Sequence, residues 1–243
     1  MAIGQVALQC DSPFGGYDCP ECSNRGIIVY ESGNEIACIR CACMDKRQLN
    51  KSVSASGLAG KIDEQTQESF IAEKAWQINM KKTSAKYLEE FDKRTRKWFY
   101  VGGNPGTGKT HLCTSIVGEL LNRGFQAKYM IWREEVGRLK RLANDPEYDV
   151  IIREFKTVPV LYVDDFLKTA AGSTPTDADI QIGFEIINAR YNNPASITIL
   201  SSELRTEDVS RLDQGLGGRI VERAKPYVLS VYPGQDMRTG GTA

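Results

Sequence analysis

The chain has 243 residues, with 31 Lys and Arg against 31 Asp and Glu, so its formal net charge is +0. That balance excludes a charge-dominated polyanion binder and leaves only local patches for such contacts. A 41% apolar and 26% charged composition excludes a disordered chain. No apolar run approaches the ~18 residues a membrane helix needs. The start, MAIGQVALQC, lacks a basic n-region and a long apolar h-region. A cytoplasmic location with no membrane association is the expectation.

Taken in chain order, the first feature is cysteine. Six of the seven cysteines lie between Cys10 and Cys43. An odd count without a secretory signal points to metal rather than disulfides. Cys19-Pro-Glu-Cys22 and Cys38-Ile-Arg-Cys41 are two C-x₂-C units separated by 15 residues. Two such turns complete a tetrahedral Zn²⁺ site. Cys43 is an alternative to Cys41 as fourth ligand. Residues 27–30 and 35–37 flank Ser32-Gly33-Asn34 and read as a β-hairpin. Residues 1–50 therefore predict a zinc ribbon. With four thiolates there is no open coordination position, so the metal is structural. Residues 51–60, KSVSASGLAG, are small and polar and read as a linker.

From residue 61 the texture changes to amphipathic helices alternating with short apolar strands. Strands are predicted at 97–102, 127–132, 158–164, 196–201 and 227–232. Helices are predicted at 62–79, 83–92, 110–123, 133–143, 178–191 and 207–225, the last broken near Gly215–Gly218. Such alternation predicts a parallel sheet covered on both faces.

Gly103-Asn104-Pro105-Gly106-Thr107-Gly108-Lys109-Thr110 fits G-x-x-x-x-G-K-[ST] between an apolar strand and an amphipathic helix. The glycines let backbone N–H groups curl around phosphate, and the helix aims its positive end at the same anion. Lys109 reaches the β/γ-phosphates and Thr110 can ligate Mg²⁺. Val160-Leu161-Tyr162-Val163-Asp164-Asp165 supplies the complementary acids. Asp164 is read as the Mg²⁺ partner, and Asp165 as the group that orients and polarises the attacking water. No guanine-specific NKxD motif lies in the core, so ATP is the expected nucleotide. His111 follows Thr110; a catalytic base and a packing or capping role both fit it. Ser201-Ser202-Glu203 ends the fourth core strand, where a γ-phosphate sensor would sit. Arg219, in Leu216-Gly-Gly-Arg219-Ile-Val-Glu-Arg223, reads equally as an arginine acting on a neighbour's nucleotide and as a surface charge. The helix with Arg133, Arg138, Lys140 and Arg141 reads as a solvated face or a single-strand DNA contact.

GGNPGTGKTHL, ELLNRG, YVDDFLK, the helix ending Asn188-Ala-Arg-Tyr191, TILSSEL and LGGRIVERA together resemble the bacterial replicative helicase loader family (DnaC/DnaI type) of AAA+ ATPases. The likeness runs from about Gly57 to the C-terminus, and CPEC…CIRCAC resembles the amino-terminal domain of the DnaI-like branch. The resemblance implies an α/β P-loop AAA+ core over 61–243, with a five-stranded parallel sheet of order 5-1-4-3-2. It implies no C-terminal lid; only 11 residues follow the last predicted strand. It implies ATP hydrolysis and delivery of a hexameric replicative DNA helicase onto single-stranded DNA. The ribbon would contact the helicase, and the assembled loader would be a homo-oligomer, with a hexamer among the states allowed. Arg219 falls on the family's arginine finger, and the 133–143 helix on its DNA-contacting insertion. One departure stands out. Many relatives have Ser-Asn where this chain has Ser202-Glu203, and an ionised Glu cannot donate to a γ-phosphate. Rival readings are a transposition-associated ATPase, a zinc-ribbon DNA-binding regulator with an ATP switch, and a small-molecule P-loop kinase.

Overall fold

The computed structural model describes residues 19–32, 35–91, 97–170, 172–235 and 237. Cys10 lies outside them. The chain divides into two compact units, Met1–Ser52 and Val53–Ala243.

In the first unit, β1 (Ile27–Ser32) and β2 (Glu35–Arg40) form an antiparallel hairpin, with Ile28 opposite Ile39 and Val29 opposite Cys38. Helix α1 (Cys43–Ser56) follows directly. This corrects the linker reading of 51–60: residues 51–56 are helical, because Ser and Ala tolerate a helix interior once a preceding turn has nucleated it.

In the second unit, the short α2 (Lys61–Glu64) and the longer α3 (Ala75–Glu89) replace the two helices expected at 62–79 and 83–92, with the break earlier than expected. The intervening polar side chains explain the break. Thr66 N–H donates to Ser69 Oγ at 2.9 Å, and Ser69 N–H donates to Thr66 Oγ1 at 3.1 Å. Such local bonds compete with the helical ladder, while Phe70 between the helices is buried.

The core is a five-stranded parallel sheet. Its strands are β3 (Phe99–Gly103), β4 (Ala127–Ile131), β5 (Val160–Phe166), β6 (Ile197–Ser202) and β7 (Val228–Val231). Their order is β4-β5-β6-β3-β7. Counting core strands alone, that is the expected 5-1-4-3-2. Every residue of β3 and β6 is buried, as a central strand covered on both faces requires. The helices are α4 (Lys109–Asn122), α5 (Trp132–Arg141), α6 (Pro146–Thr157), α7 (Asp177–Tyr191), α8 (Thr206–Leu212) and α9 (Gln214–Ala224). Helix α6 was not anticipated. Its Pro146 sits in the first turn, and Asp145 accepts from Glu147 N–H at 2.8 Å, a start signal that reads superficially as a break. The final helical region breaks at Asp213, which caps α9 by accepting from Leu216 N–H at 2.6 Å; Gly215, Gly217 and Gly218 lie inside α9.

Arg190, in the last turn of α7, is fully buried. It donates to Thr198 Oγ1 at 2.9 Å and to the carbonyls of Phe155 (2.9 Å), Val158 (2.9 Å) and Ile197 (2.7 Å). It therefore fastens the end of α6 to the entry of β6. The segment entering β5 and the first residues of β6 are thereby tied together.

Candidate nucleotide site and cysteine cluster

The phosphate loop joins β3 to α4. Gly103 has φ +122°, and a Cβ there would lie 1.9 Å from the Val231 carbonyl oxygen; only glycine lets β3 and β7 approach this closely. Gly108 caps α4 with φ +80°, so the first N–H groups of the helix open toward the loop. Lys109 is buried and folds back over the loop, donating to Gly103 O at 2.8 Å and Asn104 O at 2.5 Å. Burial lowers its pKa, while Asp165 and Glu203 oppose that shift. Thr107 Oγ1 donates to Asn104 O at 3.1 Å and holds the loop closed on itself.

Asp164 ends in a ring of hydroxyls. Its Oδ1 accepts from Thr110 Oγ1 at 3.1 Å, from Tyr162 at 2.9 Å and from Ser201 Oγ; its Oδ2 accepts from Tyr129 at 2.8 Å. Elements α4, β4, β5 and β6 thus converge on one buried carboxylate. The two residues assigned to Mg²⁺, Thr110 and Asp164, are in direct contact. Next to them, Asp165 has φ +56°, and its Oδ2 accepts from Lys168 Nζ at 2.9 Å. Lys168 also donates to Glu203 Oε1 at 2.9 Å. Sequence reasoning passed over Lys168, because its position depends on a turn with left-handed residues at Asp165 and Leu167.

A cavity of about 350 Å³ is lined by Pro105–His111, Asp165, Lys168, Glu203 and Met237. Its size and its ring of N–H groups and cations suit a nucleotide's phosphates. His111 has a packing role here. Its Nε2 donates to Thr66 O at 2.9 Å, which requires the proton on that nitrogen, and its ring meets Phe70 edge-on at 5.3 Å. Ser201 and Ser202 use their hydroxyls on Asp164 and on Phe166 O, and Glu203 is tied to Lys168. No side chain of these three presents a donor to the cavity.

Arg219 lies on α9, outside the described lining of its own chain's cavity. Its guanidinium stacks over Phe184 at 4.8 Å and Tyr191 at 5.5 Å and donates to Gly215 O at 2.9 Å. Of the basic residues on α5, Arg138 pairs with Glu147 at 2.5 Å and Lys140 with Asp179 at 2.6 Å; Arg133 and Arg141 are exposed.

In the first unit the sulfurs of Cys19, Cys22, Cys41 and Cys43 all lie within 4.8 Å of one another, and all four side chains are buried. Cys38 is not among them. It lies in β2 opposite Val29 and is exposed. The ligand set read as Cys19, Cys22, Cys38 and Cys41 is therefore corrected: Cys43 stands in for Cys38, not for Cys41. The physical reason is that Cys38-Ile-Arg-Cys41 is mostly strand, so its two thiols do not share a turn. Four sulfurs about 2.3 Å from one centre stand roughly 3.8 Å apart in a tetrahedron. The Cys19–Cys41 and Cys22–Cys43 separations are 3.7 and 3.4 Å, so the donor set fits Zn²⁺. Burial raises the Cys22 thiol, but the Gly26 N–H and the neighbouring thiols outweigh it and bring it down to about 7. Burial and the same neighbours push Cys43 up to about 12. One thiolate forms readily and makes the next costly, a conflict that a dication relieves.

The model of the IstB-like ATP binding protein family matches residues 41–223. The phage-like element PBSX protein XkdC of Bacillus subtilis (strain 168) is 29% identical over 94% of this chain and 89% of its own length. The replicative helicase loader DnaC of Escherichia coli (strain K12) is 24% identical over 79% of this chain and 77% of its own length. Among solved structures, the DnaC helicase loader superposes with a TM-score of 0.59 at 21% identity, covering 72% of this chain and 99% of that one. DnaI superposes with a TM-score of 0.56 at 20% identity, covering 71% and 92%. No helix among the described residues is long and apolar enough to cross a membrane.

Proposed function

Because the chain belongs to the IstB-like ATP binding protein family, an ATP-binding AAA+ family related to replicative helicase loaders, we propose that it delivers a hexameric replicative DNA helicase onto single-stranded DNA at the expense of ATP. One observation carries the reading: a four-cysteine cluster and a phosphate-loop core occur in one chain whose likeness to relatives extends over nearly its whole length. The cluster would hold Zn²⁺ and fold the helicase-contacting unit. In the core, Lys109 would bind the β/γ-phosphates. Thr110 and Asp164 would hold Mg²⁺, the first directly and the second through water. Asp165 would orient the water that attacks ATP to give ADP and phosphate. Arg219, stacked on α7 and away from its own cavity, would reach the nucleotide of a neighbouring subunit, where a second cation offsets charge on the γ-phosphoryl oxygens.

The test is co-purification of the tagged chain with the replicative helicase of the same cell, with ATPγS, with ADP and without nucleotide. A complex that depends on nucleotide and is lost with the cysteine cluster supports loading. Failure to bind helicase under all three conditions, with zinc bound throughout and nucleotide bound in the first two, would refute it. A transposition-associated role of the same core is the second reading; the cysteine cluster favours the loader, and a parallel pull-down with a transposase separates the two.

A further inference from the structure

Lys168 has no part in the function just described, yet it stands in the nucleotide cavity beside the phosphate loop. Its ammonium bridges the tips of β5 and β6, bonding Asp165 and Glu203 at 2.9 Å each. The turn that presents it is held, not loose. Asp165 and Leu167 both have left-handed backbones, at φ +56° and +60°, which non-glycine residues seldom adopt. Lys168 N–H donates to Asp165 O at 2.9 Å and closes the turn. Phe166 and Leu167 are buried, so the backbone cannot relax without pulling Leu167 out of the core. Strain fixed by packing in this way is characteristic of functional turns.

The charges in the cavity state what such a residue is for. Two carboxylates, Asp165 and Glu203, and two ammoniums, Lys109 and Lys168, line it. Lys109 is committed to the loop end. Without Lys168, the carboxylates of Asp165 and Glu203 would keep only the more distant charge of Lys109. An ammonium carries three N–H donors. The two carboxylates use two of them, which leaves capacity for one phosphate oxygen. Burial works against the charge of Lys168, but its bonds to Asp165 and Glu203 outweigh that and raise its pKa. Glu203 cannot donate to a phosphate; a lysine held by Glu203 can.

We propose that Lys168 is the residue that reads the terminal phosphate of ATP in this protein, with Glu203 as its positioning residue. The inference rests on ATP binding by this cavity and is independent of helicase loading. Lys168 meets the γ-phosphate with its third N–H and keeps its bonds to Asp165 and Glu203. A diphosphate does not reach that far and leaves Lys168 where it stands.

The experiment is equilibrium titration of the full chain with fluorescent ATPγS and ADP, in the absence of helicase and DNA. Lys168→Met is expected to weaken ATPγS binding by about tenfold or more, the usual scale for losing a charge-assisted hydrogen bond. ADP affinity should change by less than about twofold. Lys168→Arg should restore most of the preference for the triphosphate, and Glu203→Gln should lose part of it. An unchanged ATPγS-to-ADP ratio in Lys168→Met overturns the proposal. So does an equal loss of both nucleotides, which would assign Lys168 to folding. Parental binding of both nucleotides by Lys109→Ala would instead refute the cavity as the nucleotide site, a distinguishable failure.

Discussion

Replacing Cys43 by serine, against the same change at Cys38, tests the corrected ligand set directly. A structural zinc site carries apparent binding free energy on the order of 10–16 kcal/mol at neutral pH. Shared evenly over four thiolates, one ligand accounts for a quarter of that, roughly 10²–10³-fold in affinity. The sulfur separations of 3.4 and 3.7 Å are close to a tetrahedral edge, and each of the four buried thiols is taken to carry an equal share. Cys43→Ser is therefore expected to lose zinc to a competing chromophoric chelator at concentrations two to three decades, in order of magnitude, below those the parent resists. Cys38→Ser, altering an exposed strand residue, should match the parent. Elemental analysis of both proteins after purification without chelator gives the endpoint. Zinc retained at parental affinity by Cys43→Ser, or lost by Cys38→Ser, would refute the geometry from which the set was drawn.

Lys109→Ala should reduce ATP binding below detection in calorimetry, since it removes the charge folded over the loop; binding at the parental affinity would contradict the loop's role. Arg219→Ala should bind ATP normally yet hydrolyse it roughly 10³–10⁵-fold more slowly in the assembled state. Mixing it with Asp165→Asn should restore turnover at interfaces that combine the intact half of each, and no recovery with co-assembly shown would place Arg219 in a role within its own chain. Arg190→Met leaves the buried carbonyls of Phe155, Val158 and Ile197 without a donor and should lower stability by about 3–5 kcal/mol in denaturant unfolding; a loss under about 1 kcal/mol would mean the clamp is replaceable.

Features whose signal is local in sequence were readable without coordinates. The phosphate loop, Asp164 and Asp165 each depend on a strand end and a few adjacent residues, and the strand order followed from a resemblance carried by several such segments. Cys38 misled because C-x₂-C spacing outweighs, on paper, the alternation of a hairpin strand. Which of Cys38 and Cys43 faces the cluster is decided by the register of β2, a tertiary fact. Helix α6 was missed for a related reason: Asp145-Pro146 serves equally as a stop and as an N-cap with proline in the first turn. Lys168 closes YVDDFLK, one of the segments that carry the resemblance, but nothing in that segment's spacing assigns it a contact. The role proposed for it arises from two left-handed residues and from Glu203, 35 positions and one crossover away, and periodicity cannot report either.

The hydroxyl ring around Asp164 bears on the order in which ligands arrive. A carboxylate offers about four lone-pair sites, two on each oxygen; Thr110, Tyr162 and Ser201 crowd Oδ1, and Tyr129 bonds Oδ2. A bare divalent ion entering alone would find room beside Tyr129 on Oδ2 and would gain only one carboxylate for shedding its hydration shell. An ion already chelated by a triphosphate brings most of its coordination sphere along and can meet Asp164 through a water that inherits a hydroxyl's place. If Thr110 and Asp164 hold Mg²⁺ as proposed, the expected order is delivery of the metal as its nucleotide complex, and calorimetric titration with metal alone should be flat.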